Sequence, residues 1–201
     1  MRKHHAVYKK IVIVGDSFCG KTSLLARFTR NEFRPDYVPT VFGTEVASVL
    51  IGDKEVRLSL WDTAGQEAYE RLRPLSYPDT DVVIIAYSIA DRNTMQNAAE
   101  KWYAEICHYL PRMPILLIGT KPDLRPPFEE VHPKDDLLFV GEDEGRKLAS
   151  YIKVDEFVEC AALANVGVTE VCHQAALLTA QTCRRSPPKK NHAFHSLVEH
   201  Q

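Results

Sequence analysis

One octapeptide limits the architectures open to this chain. Gly15-Asp16-Ser17-Phe18-Cys19-Gly20-Lys21-Thr22 fits the pattern GxxxxGK(S/T). Lys9-Lys10-Ile11-Val12-Ile13-Val14 before it reads as a buried strand, and residues 23–28 after it read as a helix. Glycines in such a loop let the backbone wrap a polyphosphate with its N–H groups inward, and the helix N-terminus adds partial positive charge. Gly15, Ser17, Phe18, Cys19, Gly20, Lys21, Thr22 and Ser23 are therefore the expected phosphate-binding set. Lys21 would reach the β- and γ-phosphates, and the Thr22 hydroxyl would sit on Mg²⁺.

Short apolar runs alternate with helical patterns, which predicts βα units in an α/β fold. Residues 45–51 and 55–61 flank Gly52-Asp53-Lys54, a hairpin signal and hence one antiparallel edge strand. In the second arm Val56, Leu58 and Leu60 alternate with Arg57, Ser59 and Trp61, so Trp61 faces away from the first set. Residues 81–88 and 114–119 are near-continuous apolar runs, as strands covered on both faces should be. Residues 93–110, 142–152 and 167–183 read as helices, and 156–161 as the last strand. The expectation is a P-loop NTPase fold: a six-stranded, mostly parallel sheet with one antiparallel edge strand and helices on both faces. Its domain would run over 9–183, after an extension at 1–8. Residues 125–140 carry three of the 12 prolines and several acids, and read as a surface insertion. From 184 to 201 the composition turns basic and proline-bearing, and reads as a flexible tail.

Two further motifs supply chemistry. Trp61-Asp62-Thr63-Ala64-Gly65-Gln66 follows a strand, so Asp62 lies at a strand's carboxyl end beside the phosphate loop. Asp62 would hold Mg²⁺ through a water, and the Gly65 N–H would meet the γ-phosphate. The Gln66 amide can orient an attacking water, accepting from it while its NH₂ faces charge. Thr120-Lys121-Pro122-Asp123 then reads the base. The Asp123 carboxylate accepts from N1–H and N2–H₂ of guanine, donors that adenine lacks there. The Lys121 stem packs along the ring.

The phosphate loop, DTAGQ, TKxD and their spacing resemble a Ras-superfamily small GTPase. Residues 37–42 (Tyr-Val-Pro-Thr-Val-Phe), 71–81 and the segment after Asp123-Leu124-Arg125 resemble the Rho family in particular. That resemblance covers about 9–183 and implies a GTP/GDP-binding switch that hydrolyses GTP and signals to the actin cytoskeleton. It makes Gln66 and Lys21 catalytic. Thr40 becomes the second protein ligand of Mg²⁺, with residues 34–44 as first switch and 65–77 as second. Phe33 and Tyr37 would flank the nucleotide beside Pro39, and Leu124 would sit next to Asp123. Ala161, Ala162 and Leu163 would form the guanine loop, the Ala162 N–H donating to guanine O6. Trp61 resembles the tryptophan that Rho proteins use to select exchange factors. Effectors would engage both switches, and activating proteins would supply an arginine.

The chain departs from that family in several places. Ser17 stands where most members have glycine over the γ-phosphate, and a side chain there crowds the path of an arginine finger. Slow hydrolysis, poorly stimulated by activating proteins, is the expectation. The family's Ser-Ala-Lys guanine loop is here Ala161-Ala162-Leu163. Loss of the bracing serine predicts quicker nucleotide exchange with guanine preference intact. Gly43 and Glu45 differ from the family's bulkier polar and aromatic residues, so the family's known effectors are not carried over to this chain. No cysteine stands in the last four positions, so prenylation is not expected. Cys183 followed by Arg184, Arg185, Lys189 and Lys190 leaves weak or no membrane contact at a cytoplasmic face.

Bulk properties exclude other classes. A formal net charge of −2 gives no field for nucleic acid, and five scattered cysteines without CxxC spacing suit a reducing, cytoplasmic setting. Two alternatives remain beside the hydrolysing switch. One is a GTP-locked adaptor acting as a binding module. The other is a phosphate-loop kinase, which leaves DTAGQ and TKxD without roles.

Overall fold

The computed structural model describes residues 7–36, 38–126 and 139–182. Six strands form one sheet in the order β2-β3-β1-β4-β5-β6. β1 (Val7–Gly15), β3 (Lys54–Thr63), β4 (Val82–Ser88), β5 (Ile115–Thr120) and β6 (Glu156–Cys160) run parallel, and β2 (Phe42–Ile51) pairs antiparallel with β3 at the edge. Every residue of β4 and β5 is buried, as their unbroken apolar runs require. The β2–β3 hairpin closes with Ile51 opposite Lys54 and Gly52 at φ 59°, which suits a tight primed turn.

Strand pairing extends past two expected boundaries. β2 begins at Phe42 rather than 45, because the ladder continues to Phe42 opposite Thr63, and Phe42 packs edge-on against Trp61 with ring centroids 5.1 Å apart. β1 takes in Val7 and Tyr8 from the segment expected to precede the domain, pairing them with Val56 and Arg57.

Helices cover both faces. On one side α1 (Lys21–Arg30) and α5 (Val168–Thr182) bury Leu24, Leu25, Val171 and Ala175 on Ile11, Ile13, Leu58 and Leu60. On the other, α4 (Glu142–Ile152) and the α2–α3 body cover Val12, Val14, Ile85 and Leu117. Burial of each such side chain contributes about 1.5–3 kcal/mol of transfer free energy, before the entropy of ordering it. The α2–α3 body is α2 (Arg92–Asn97), a π-type stretch Ala98–Tyr103 and α3 (Ala104–Tyr109). Asp91 caps it by accepting from Asn93 N–H at 3.0 Å.

Residues 127–138 of the expected insertion lie outside the described residues, as do 1–6 and 183–201, with Cys183 and the basic cluster. Both roots of the insertion are described. Arg125 forks onto Glu159 at 2.7 and 2.5 Å and onto the Val140 carbonyl at 2.9 and 2.7 Å. Val140 is itself fully buried. Among the described residues no helix is long and apolar enough to cross a membrane.

Candidate nucleotide-binding site

β1 is flanked by β3 on one side and β4 on the other, so the chain reverses its winding there and leaves a crevice at the strands' carboxyl ends. The phosphate loop fills that position. Gly15 has φ 147°, and a Cβ on it would lie 2.3 Å from the Ala86 carbonyl oxygen. Gly20 at φ 84° sits before the first residue of α1. Phe18 adopts φ 64°, an uncommon and costly conformation for an aromatic residue, of the kind that concentrates at functional sites. Lys121 Nζ holds it there by donating to the Phe18 carbonyl at 2.6 Å, and Thr120 Oγ1 donates to the Cys19 carbonyl at 2.6 Å.

Lys21 is nearly buried, and its ammonium donates to the carbonyls of Gly15 and Asp16 at 2.8 and 2.7 Å. A cation is thus fixed inside the loop. The Cys19 thiol is fully buried, and that burial pushes its pKa up, so it packs as a small apolar group rather than a nucleophile. Asp16 is tied down by Trp102 Nε1 at 2.9 Å and Asn97 Nδ2 at 2.7 Å, both from the π-type stretch and its flank.

Oxygens of three side chains converge beside the loop. Thr22 Oγ1 lies 2.8 Å from Thr40 Oγ1 and 2.5 Å from Asp62 Oδ2. Asp62 Oδ1 is buried without a hydrogen-bond partner. Desolvation lifts the Asp62 pKa above the ordinary carboxylate value, against the opposing pull of the Thr22 hydroxyl and Lys21. A buried carboxylate with a lone pair to spare, next to two hydroxyls, fits a hard divalent cation such as Mg²⁺ that shares its shell with phosphate oxygens.

DTAGQ closes over the loop. A Cβ on Gly65 would fall 2.4 Å from Ser17 N and 2.6 Å from the Gly15 carbonyl oxygen, so backbone meets backbone there. Gly65→Ala is expected to force the two loops apart. Nucleotide affinity should fall at least about tenfold and stability by about 1–3 kcal/mol, read by GDP titration and thermal melting. Gln66 follows in extended geometry, half-buried, and shares the crevice lining with Ser17.

The crevice has a volume of about 480 Å³. Ser17, Phe18, Gly20, Lys21, Thr22 and Ser23 line its phosphate end, with Thr40, Gly65 and Gln66. Phe33, Thr120, Lys121, Asp123, Leu124, Ala162 and Leu163 line its other end. Gly15, Cys19, Asp62 and Ala161 are buried behind this lining, whereas Pro39 is exposed and does not contribute to it. Tyr37 lies outside the described residues.

Sequence reasoning missed three contributors. Thr63 lines the crevice while donating to the Ile13 carbonyl at 2.7 Å. Arg27 donates from α1 to the Ala162 carbonyl at 2.8 Å. Glu45, one of the departures noted above, accepts from Thr29 Oγ1 at 2.8 Å and pairs with Arg30, fastening the start of β2 to α1.

A second, apolar groove of about 290 Å³ lies between the two expected switches, lined by Val41, Phe42, Trp61, Tyr69, Leu72 and Leu75 among others. Trp61 is half-buried there, with Lys10 Nζ 3.5 Å from its ring centroid. Below the groove, Arg73 is buried and donates to the Ala64 carbonyl at 3.0 Å and to Glu105 at 2.6 Å, while the Tyr77 hydroxyl donates to Glu105. The far half of the 65–77 segment is thereby fastened to α3.

The doubly wound sheet and its phosphate-loop crevice define a nucleotide-binding α/β protein. A model of the Ras family matches residues 10–181, most of the chain, and the protein belongs to that family. It is a small GTP-binding switch protein.

Proposed function

We propose that the protein is a Rho-type switch that binds GTP and GDP with Mg²⁺ and hydrolyses GTP by in-line phosphoryl transfer. The observation that carries this reading is the meeting of Thr22, Thr40 and Asp62 beside a buried lysine, with Gly65 closing on Ser17 and Gln66 lining the same crevice. Thr22, Thr40 and Asp62 would hold Mg²⁺, which when bound would supply positive charge beside the phosphates. Lys21 offsets charge that develops on the transferred group, and the Gln66 amide orients the attacking water.

Residues 34–44 and 65–77 are the switches, and the groove around Trp61 between them receives Rho-type exchange factors and effectors. The resemblance of residues 37–42 and 71–81 to Rho sequences supports signalling to the actin cytoskeleton. The cytoplasm is the expected compartment: Cys19, Cys107, Cys160 and Cys172 are all free thiols.

One observation favours a second reading, a GTP-loaded adaptor whose output is its bound conformation. Ser17 stands beside Gly65 and Gln66 in the crevice lining, and a side chain at 17 would crowd an activating protein's arginine entering there. Quantifying the nucleotide in freshly purified protein, together with its turnover with and without Mg²⁺, separates the two. Bound GDP and Mg²⁺-dependent turnover support the switch. Bound GTP with negligible turnover supports the adaptor, and neither nucleotide at stoichiometry would sink both.

A further inference from the structure

We propose that Arg27 is a positioning residue for nucleotide retention, bracing the base loop 161–163 from α1 in place of the hydroxyl that loop lacks. The inference rests on the guanine-nucleotide reading of the crevice and deepens it.

The loop's own fastening is modest. Its ends pair through backbone alone, Ala161 N to the Val166 carbonyl at 2.9 Å and Val166 N to the Ala161 carbonyl at 3.1 Å. Lys121 N donates to the Cys160 carbonyl at 3.1 Å just before it. Residues 161–164 are Ala-Ala-Leu-Ala, so none of these four side chains offers a hydrogen bond.

Arg27 reaches this segment across 135 positions of sequence. Its Nε donates to the Ala162 carbonyl at 2.8 Å, and Nη2 lies 3.5 Å from the Leu163 carbonyl. Nη1 donates to the Asn31 carbonyl at 3.0 Å and to Asn31 Oδ1 at 3.2 Å. The guanidinium carbon stands 6.0 Å from the centroid of the Phe33 ring. One planar, permanently charged group therefore ties the base loop to the end of α1 and borders the aromatic on the opposite wall. Hydrogen bonds from a cation are roughly twice as strong as neutral ones, and the Nε bond to Ala162 is partly buried, so water screens that bond incompletely.

The consequence falls on release rather than recognition. Arg27 holds residue 162 from behind through its carbonyl, while the Ala162 N–H is the group expected to face the base. Asp123 sits on the other arm of the pocket and reads the base edge. Bracing thus slows opening of the base loop without altering which base it accepts. It also offsets the quick exchange that the absence of serine at 161 would otherwise produce.

Release of a fluorescent GDP analogue, chased with excess GDP in Mg²⁺ buffer, tests this on the full chain. Arg27→Ala should accelerate release about tenfold, with the association rate within about twofold and GTP still preferred over ATP. Arg27→Lys should fall between, since an ammonium cannot reproduce the fork. Adding Ala161→Ser to Arg27→Ala should restore slow release. An arginine serving only to hold the fold would lower the melting temperature without rescue from residue 161. Release at the wild-type rate in Arg27→Ala, or acceleration that Ala161→Ser leaves untouched, overturns the proposal. Should the alanine variant fail to fold, Arg27→Lys carries the test, and release no faster than wild type overturns it. Failure of the wild type to take up the analogue would remove the nucleotide reading itself, a distinct result.

Discussion

Asp123→Ala is expected to lower GDP and GTP affinity by about 10⁴, with ATP and GTP then competing almost equally. The reason is the cost of unpaired polar groups. Asp123 stands in the short helical turn Pro122–Leu124 after β5, facing the same crevice as Phe33 and Ala162. A carboxylate there pairs with two adjacent donors on guanine and would be left desolvated against adenine. Truncation removes the reward for guanine and the penalty for adenine together. The phosphate end, with Lys21 fixed by the Gly15 and Asp16 carbonyls, is untouched, so weak and unselective binding should remain. Competition titrations of ATP against a fluorescent GDP analogue read the ratio. Retained selectivity above about a hundredfold would remove Asp123 from its role.

Ser17→Gly is expected to raise hydrolysis stimulated by a Rho-type activating protein by about 10²–10³, part of the 10³–10⁵ that an arginine finger contributes. Gly65 already lies so close that a methyl group on it would meet Ser17 N at 2.4 Å. Ser17 and Gln66 line one crevice, which an incoming guanidinium would also have to enter. Removing the hydroxymethyl group frees that space without touching Lys21 or Thr22. Intrinsic hydrolysis should change by less than about tenfold, because Gln66 is retained. Single-turnover assays with and without the activating protein separate the two effects. Equal stimulation of both proteins would show that Ser17 leaves the path open.

The fold was readable where local pattern and burial agree. Continuous apolar runs became the fully buried strands β4 and β5, and the alternation of β3 put Trp61 on the opposite face from Leu58 and Leu60. The phosphate loop was readable because its glycines answer to backbone geometry, φ 147° at Gly15 and φ 84° at Gly20. Asp62, Gly65 and Asp123 could be placed near one another because Asp62 lies at the carboxyl end of a strand and the other two just past one, and strand ends meet at one edge of a parallel sheet.

What escaped were pairings between residues far apart in the chain. Arg27 with Ala162, Arg73 with Glu105, and Asp16 with Asn97 and Trp102 leave no periodic trace. Arg27 did carry a hint: it is a cation next to Leu24, Leu25 and Phe28 on a helix that must bury a face. Glu45 was read as a change of partner surface because its departure from the family was visible and its intramolecular partners, Thr29 and Arg30, were not.

The order of strands has a consequence for synthesis. Residues 161–163 follow β6, the outermost strand on the side away from the hairpin, yet they complete a crevice whose other end is lined by residues of the 17–23 segment, Thr40, Gly65 and Gln66. Because Thr120 and Lys121 fasten the phosphate loop from β5, a nascent polypeptide emerging from the ribosome completes neither end of the crevice before β5 has docked, and the base end only once β6 has followed. Ligand capture by this protein therefore reports that translation has passed residue 163 and that the last strand has found its place.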